Sequence, residues 1–285
     1  MKIASAKVDG NPLVVVAKDN DWLCVPCSGV FSALRSVRAV IENWNSIEVD
    51  ELWDNSTTLS SEPKFLCPLP TARKVICVGK NYADHAQEMG GEAPSTPVIF
   101  NKFASCLIAD GESIEIPAIC QRVDYEAELV AVIGKPGRNI ARESALEHVF
   151  GYTIGNDVTS RDWQKGKPGG QWLLGKAIDT FGPLGPHIVT ADSIDDPQNL
   201  DIALQLNGET MQSANTSQMI FSIDFLVAYI SQFFTLSPGD LIFTGTPAGV
   251  GAGRSPEVYL TDGDSVSVTI EKIGTLTNPV VSSVR

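Results

Sequence analysis

Hydrophobic residues recur along the chain in short runs that polar residues, glycine and proline interrupt. Residues 126–133, with the sequence EAELVAVI, show the length and composition typical of a strand. Further strands are predicted at residues 12–16, 75–78, 98–100, 113–116, 151–154, 202–207, 241–244 and 265–270. Few helices are predicted, and the clearest cover residues 32–45, 82–89 and 222–234. The pattern predicts an α+β fold in which mixed sheet predominates.

A proline-rich connector divides the chain. Pro63, Pro68 and Pro70 fall within eight residues, where they forbid a regular helix and favour an extended crossing. The change in pattern on either side predicts two domains. The first is a small N-terminal domain, residues 1–70 including the connector, and the second is a large domain, residues 71–285.

Charge and composition narrow the class of protein. The chain of 285 residues carries a formal net charge of -13, the wrong sign for binding nucleic acid or an anionic membrane. No apolar run approaches the roughly 20 residues that a spanning helix needs. The first ten residues, MKIASAKVDG, lack the apolar segment of a signal peptide. We therefore expect a cytoplasmic protein without nucleic-acid or membrane partners.

The cysteines leave one short motif open. Cys24 and Cys27 form a CxxC pair, whose spacing alone permits a redox site or half of a zinc site. A closed zinc site needs about four ligands, and the chain has three histidines and no second CxxC. We expect reduced thiols, as in other proteins of reducing compartments.

Two acidic residues share one face of a predicted strand. Glu126 and Glu128 are two positions apart, so their side chains project to the same side, about 7 Å from each other. Carboxylates in such an apolar setting repel each other unless a cation lies between them. A third carboxylate, Asp157, follows the predicted strand 151–154. The set suits Mg²⁺, Mn²⁺ or Ca²⁺ better than zinc, although an ordinary solvent-facing strand edge would have the same spacing.

Four sequence blocks in a fixed order carry a family resemblance. They read VDYEAELVAVIG, GYTIGNDVTSRD, GGQWLLGKAIDTFGPLGP and LIFTGTPAGVG, and the chain resembles the fumarylacetoacetate hydrolase family over residues 72–275. The resemblance implies that the large domain is catalytic, with a β-roll-like mixed sheet, and that the protein is a homodimer. It also implies that Glu126, Glu128 and Asp157 hold Mg²⁺ or Mn²⁺, with Ca²⁺ able to replace them in a crystal.

A histidine and a glutamate lie three residues apart near the start of this domain. His85 and Glu88 share a face of the predicted helix 82–89, so the carboxylate can orient the imidazole as a base. A surface pair is the alternative, but the resemblance implies a lid whose dyad activates water. The same block supplies Lys80 and Tyr82 as candidate substrate contacts, and many family members have arginine where Lys80 stands. Asn81 is expected to cap the helix.

Further cationic and polar residues belong to the same resemblance. Arg161 and Lys176 could hold a substrate carboxylate or a developing oxyanion, and we count Lys176 as catalytic. Lys102 is assigned to the substrate site, with an ordinary surface lysine as the alternative. Gln164 and Thr246 are further substrate contacts, and the glycine-rich loop around Thr246 could hold a small carboxylate. Residues 170–176 match a phosphate-binding loop in spacing, but Ala177 replaces the required Ser or Thr.

The resemblance implies chemistry on a small 2-oxo acid. We expect a divalent-metal-dependent hydrolase that cleaves a C–C bond in acylpyruvate or 2,4-diketo acid substrates through a metal-bound enolate. Oxaloacetate decarboxylation or keto–enol tautomerisation is the alternative activity, since the same residues serve all three reactions. A non-catalytic protein that binds metal and 2-oxo acid is the alternative from another class.

Overall fold

The computed structural model describes residues 1–19, 21–26, 28–61 and 63–283. Cys27 lies outside the described residues, so the CxxC motif stays a prediction. Four other cysteines, Cys67, Cys77, Cys106 and Cys120, are buried free thiols, in agreement with the expectation of reduced cysteine.

Strands make up most of the regular structure. The described strands are β1 (Lys2–Val8), β2 (Asn11–Lys18), β3 (Asp21–Cys24), β4 (Thr57–Thr58), β5 (Lys64–Leu66), β6 (Val75–Gly79), β7 (Val98–Lys102), β8 (Leu107–Ile108), β9 (Ile114–Ile116), β10 (Val123–Asp124), β11 (Ala127–Ile133), β12 (Val149–Asn156), β13 (Thr159–Ser160), β14 (Gly182–Thr190), β15 (Asp201–Leu206), β16 (Glu209–Asn215), β17 (Leu241–Phe243), β18 (Ser265–Ile270) and β19 (Gly274–Ser282). The described α-helices are α1 (Val37–Asn43), α2 (Val49–Asn55), α3 (Ala83–Glu88), α4 (Arg161–Gln164), α5 (Trp172–Lys176) and α6 (Ile223–Ser231). The α+β class is therefore confirmed.

The strands form two larger sheets. The first has the order β4-β3-β2-β1-β14-β12-β11-β17-β6-β7, with β5 against β1 and β8 against β14. It is antiparallel except where β17 pairs with β6 and β14 pairs with β8. The second sheet has the order β16-β15-β18-β19-β9, and β10 pairs with β13 in a short ribbon. This arrangement brings the end of β6, the end of β17 and the start of β11 to one place, where the site lies.

Residues 129–133 of β11 are apolar on both faces because this part of the strand lies between two cores. Leu129 and Ala131 face the core that is shared with the second sheet and α6. Val130 and Val132 face the core that is shared with α1 and α2. A strand that is covered on both sides needs no polar alternation, which explains its continuous apolar sequence.

The structure differs from the predicted elements in one helix and in several strands. The predicted helix 32–45 contains only α1 and the start of a short 3₁₀ turn, and α1 begins after Ser36, whose side chain accepts a hydrogen bond from the amide of Ala39 at 3.2 Å. Several strands were not predicted, among them β1, β16, β19 and β14. The sequence of β14, GPLGPHIVT, begins with the glycines and prolines that usually mark loops, yet all nine residues are buried.

Residues from both predicted domains share the large sheet. Lys2 and Ile3 of β1 pair with Val189 and Ile188 of β14. Backbone hydrogen bonds of one sheet therefore cross the predicted boundary at residue 70. The division into domains 1–70 and 71–285 stays a prediction. In the described part of the chain, no helix is long and apolar enough to cross a membrane.

Candidate active site

Three carboxylates converge at the start of strand β11. Glu126, Glu128 and Asp157 each offer an oxygen, and these oxygens all lie within 4.8 Å of one another. Asp157 follows β12, and its amide donates to the carbonyl of Glu126 at 2.9 Å. The side chain of Asn156 in turn accepts from the amide of Glu126 at 2.9 Å. Backbone pairing of β11 with β12 therefore fixes the three carboxylates relative to one another.

Two of these carboxylates are paired with buried cations. Nζ of Lys176 lies 2.6 Å from Oε2 of Glu126 and 2.6 Å from Oδ2 of Asp157. Nζ of Lys102 lies 2.7 Å from Oδ1 of Asp157 and also donates to the carbonyl oxygen of Lys176. Nη2 of Arg161 lies 2.8 Å from Oε1 of Glu126, although at an angle unsuited to a regular hydrogen bond. Burial disfavours ionisation, but Lys176 and Arg161 lower the pKa of Glu126 to about 2.

Glu128 is the carboxylate of the three that has no cationic partner among the described residues. Its Oε2 accepts a hydrogen bond from the amide of Gly245 at 2.8 Å. Burial, followed by the charges of Asp157 and Glu126, raises the pKa of Glu128 well above its ordinary value.

The donor set fits a hard divalent cation. Oxygen ligands are what Mg²⁺, Mn²⁺ and Ca²⁺ prefer, and a positive charge at this point would offset the cost of burying ionised Glu128. Glu126, Glu128 and Asp157 are therefore the residues that would hold such an ion.

The His85–Glu88 pair lies on helix α3, which the resemblance predicts to be a lid. Nδ1 of His85 lies 3.2 Å from Oε2 of Glu88, and the histidine is 5% exposed. With Nδ1 facing Glu88, Nε2 is the ring nitrogen that remains for chemistry. The prediction that Asn81 caps this helix is wrong, because the N-cap residue is Tyr82. The Asn81 side chain instead donates to the carbonyl of Thr244 at 2.7 Å and so ties the lid to the loop after β17.

The glycine-rich loop after β17 binds carboxylates that belong to the protein itself. Amides of the loop donate to Glu128 from Gly245, to Glu88 from Gly249, and to Asp124 from Gly251 and Ala252, at 2.7 to 3.0 Å. These amides are therefore engaged, and the expectation that they hold a substrate carboxylate needs correction. Asp124 in turn accepts from Nε of Arg161 at 2.8 Å.

A cavity of about 420 Å³, counting the part that opens to solvent, lies over the three carboxylates. The predicted site residues that line it are Lys80, His85, Glu126, Glu128, Asp157, Arg161, Gln164, Lys176 and Thr246.

Comparison with known proteins agrees with this geometry. Residues 74–281 match the family model described as the C-terminal domain of fumarylacetoacetate (FAA) hydrolase. The chain belongs to the fumarylacetoacetate hydrolase family. A relative from Bos taurus, named oxaloacetate tautomerase FAHD2A, mitochondrial, is 52% identical over 221 residues, which cover 78% of this chain and 70% of the relative.

Two solved structures show how widely the fumarylacetoacetate hydrolase fold is shared. A fumarylacetoacetate hydrolase from Exiguobacterium antarcticum superimposes with a TM-score of 0.88 at 40% identity, covering 99% of this chain and 100% of that one. A 5-carboxymethyl-2-hydroxymuconate delta-isomerase from Mycobacterium smegmatis does so with a TM-score of 0.79 at 38% identity, covering 100% of both chains. The names of these proteins include both a hydrolase and an isomerase.

Three predicted site residues of this fumarylacetoacetate hydrolase family member lie outside the cavity lining. Glu88 lies behind His85 and orients it. Lys102 lies behind Asp157, with its ammonium engaged by protein oxygens, so it holds the Asp157 carboxylate in place and does not line the cavity. Tyr82 is buried, and its hydroxyl has no hydrogen-bond partner in the described part of the chain. The cavity therefore gives no support to the predicted substrate contacts of Lys102 and Tyr82.

Other lining residues were not predicted. Phe100 and Trp172 form one wall, with ring centroids 5.3 Å apart, and Trp172 packs closely over Gly79. Met89 and Lys165 lie at the same cavity. The aromatic residue in the block GGQWLLGK was a signal for Trp172, and the position next to Gln164 was one for Lys165.

Proposed function

We propose that this protein is a divalent-metal-dependent keto–enol tautomerase that acts on oxaloacetate. The observation that carries the proposal is the placement of His85, oriented by Glu88, at the same cavity as the three carboxylates. The reaction needs one base near carbon 3 of a chelated 2-oxo acid and no second substrate. The name of the relative that is 52% identical supports this reaction over the hydrolysis that the sequence favoured.

Each residue has a role that follows from its contacts. A metal ion on Glu126, Glu128 and Asp157 would polarise the 2-oxo group. Nε2 of His85 takes the proton from carbon 3, the 2-oxo oxygen takes up a proton from water to give the enol, and His85 returns its proton to the solvent. The Lys176 ammonium, which lines the cavity, stabilises the negative charge that develops on oxygen during the transfer.

Hydrolysis of acylpyruvates is the second candidate. The dyad that can remove a proton from carbon can also remove one from water, and the E. antarcticum structure is named a hydrolase. Decarboxylation of oxaloacetate would use the same metal site without a base. The cytoplasmic location and the homodimer stay predictions, and the name of the Bos taurus relative includes the word mitochondrial.

A substrate panel tests the proposal. Purified protein with Mg²⁺ or Mn²⁺ is given oxaloacetate, acetylpyruvate and fumarylpyruvate, and enol absorbance, released acid and released carbon dioxide are followed separately. We expect interconversion of the oxaloacetate tautomers to be faster than any cleavage. His85→Ala should slow it by about 10² to 10⁴, whereas His148→Ala, on a distant 3₁₀ turn, should not. If acylpyruvates are cleaved and oxaloacetate is left at its uncatalysed rate, the hydrolase replaces the tautomerase.

A further inference from the structure

Two lysines at the cavity take no part in the cluster of paired charges. Lys80 lies at the turn between β6 and α3, and Lys165 lies at the end of α4. Neither ammonium has an ion-pair or hydrogen-bond partner in the part of the chain that the structure describes. Lys102 and Lys176 differ from them, because both are bound to carboxylates.

The backbone holds both lysines towards the cavity. The amide of Lys165 donates to the carbonyl of Arg161 at 3.0 Å, which places Lys165 on the same turn as two other lining residues. Lys80 has a φ of 57°, and its Nζ occupies space that a side chain on Gly91 would crowd, 3.1 Å from the position of a Cβ there. Gly91 thus leaves room for this ammonium at the end of the lid helix.

The charges of these residues repel one another. Lys165 is exposed as a whole residue, but protein atoms surround part of its side chain. Its pKa is lowered, first by this partial burial and then by the positive charges of Arg161 and Lys80. Lys80 and Lys165 have no ion-pair partner of their own among the described residues, which is unfavourable for neighbouring cations and unexpected in a chain of net charge -13. An anion between Lys80 and Lys165 would relieve the repulsion.

We propose that Lys165, together with Lys80, binds the terminal carboxylate of a dicarboxylic 2-oxo acid and selects it over monocarboxylic acids. The inference rests on the proposed function for the position of the 2-oxo acid on the metal site. The first carboxylate and the 2-oxo oxygen would then bind the ion that Glu126, Glu128 and Asp157 hold. The second carboxylate would lie between Lys80 and Lys165. Because the Lys165 ammonium is partly exposed to solvent, we expect the contact to add modestly to the affinity for the ligand. Its larger effect should be on the preference for dicarboxylic over monocarboxylic acids.

The test uses two unreactive ligands that differ only at the terminal group. Malate carries a carboxylate where 2-hydroxybutanoate carries a methyl group, and both chelate metal through the 1-carboxylate and 2-hydroxyl. Their affinities for the Mg²⁺-loaded protein are measured by calorimetric titration for the wild type, Lys165→Met and Lys165→Arg. Lys167→Met is the matched control, because Lys167 is two residues away, is absent from the cavity lining and packs 4.9 Å from the ring centre of Trp163.

We expect Lys165→Met to weaken malate roughly three- to tenfold and to leave 2-hydroxybutanoate unchanged. Lys165→Arg should retain most of the preference, and Lys167→Met should retain all of it. Equal loss for both ligands, or no loss for malate, overturns the inference. The result is independent of turnover: a protein that prefers malate through Lys165 but leaves oxaloacetate unchanged would contradict the proposed function alone.

Discussion

Glu88 accepts a hydrogen bond from the backbone amide of Gly249, with 2.9 Å between Oε1 and the amide nitrogen. Its other oxygen faces Nδ1 of His85. His85 is thus oriented by a carboxylate that is itself held by a loop 161 residues away in sequence. The same loop holds Glu128, so one segment aligns His85 and one of the three carboxylates.

The Glu88 contact predicts a positioning role. Glu88→Gln keeps an oxygen for the Gly249 amide but offers His85 a neutral partner, so we expect kcat to fall about 10- to 100-fold, with Mg²⁺ affinity unchanged. Initial rates and calorimetric titration with Mg²⁺ measure both quantities. Glu92→Gln, on the exposed segment after the lid, is the control, and equal rates in the two variants would contradict the role.

The cluster of three carboxylates predicts different effects on stability for two of its members. Glu128→Gln removes a buried carboxyl group whose ionised form has no cationic partner among the described residues, so the metal-free protein should unfold at the same or higher urea concentration. Glu126→Gln leaves Lys176 and Arg161 with less counter-charge and should lose about 3 kcal/mol. Both should weaken Mg²⁺ binding, which calorimetric titration measures. Unchanged Mg²⁺ affinity in both variants would rule out the three-carboxylate site.

Gly245 is required by its backbone and by its surroundings. Its φ is +100°, and a Cβ there would lie 2.7 Å from Cβ of Asn81. We expect Gly245→Ala to destabilise the protein by about 3 kcal/mol and to reduce activity, because the amide that binds Glu128 must move. Gly263→Ala separates the two causes: its φ is +88°, but nothing lies within 4 Å of the added carbon. Equal urea midpoints for the two variants would show that the contact with Asn81 adds nothing.

His187 predicts a loss of stability in acid. Burial, followed by the charge of Lys2, lowers its pKa to about 4, although Nε2 donates to the carbonyl of Ile273 at 2.8 Å. The unfolded chain binds the proton near pH 6.5, so protonation favours unfolding as the pH falls below that value. The free energy of unfolding should drop by roughly 3 kcal/mol between pH 7 and pH 4 from this residue.

Urea unfolding at several pH values measures the drop. His187→Phe should flatten the profile between pH 7 and pH 4, since Trp22 and Phe65 already surround the ring. His148→Gln is the control, because His148 is less buried. A profile that stays equally steep in His187→Phe would assign the acid sensitivity to other groups.

The sequence by itself determined the features that depend on local period and on family motifs. Glu126 and Glu128 share a face because side chains alternate along a strand, and His85 meets Glu88 because residues three apart share a helical face. The order of the four sequence blocks determined the family and pointed to the three carboxylates that the structure brings together, and short apolar runs determined the α+β class. All of these features follow from the spacing of nearby residues or from motifs that can be read in the sequence itself.

Tertiary structure alone decided which residues stand behind the site and which face it. Lys102 and Lys165 both follow a polar residue, Asn101 and Gln164, yet one is buried against Asp157 and the other lines the cavity. The loop amide that holds Glu88 is equally hidden from sequence, as is the pairing of β1 with β14. Such contacts join residues more than 50 positions apart, and no periodicity of the chain encodes which distant backbone group a side chain will meet.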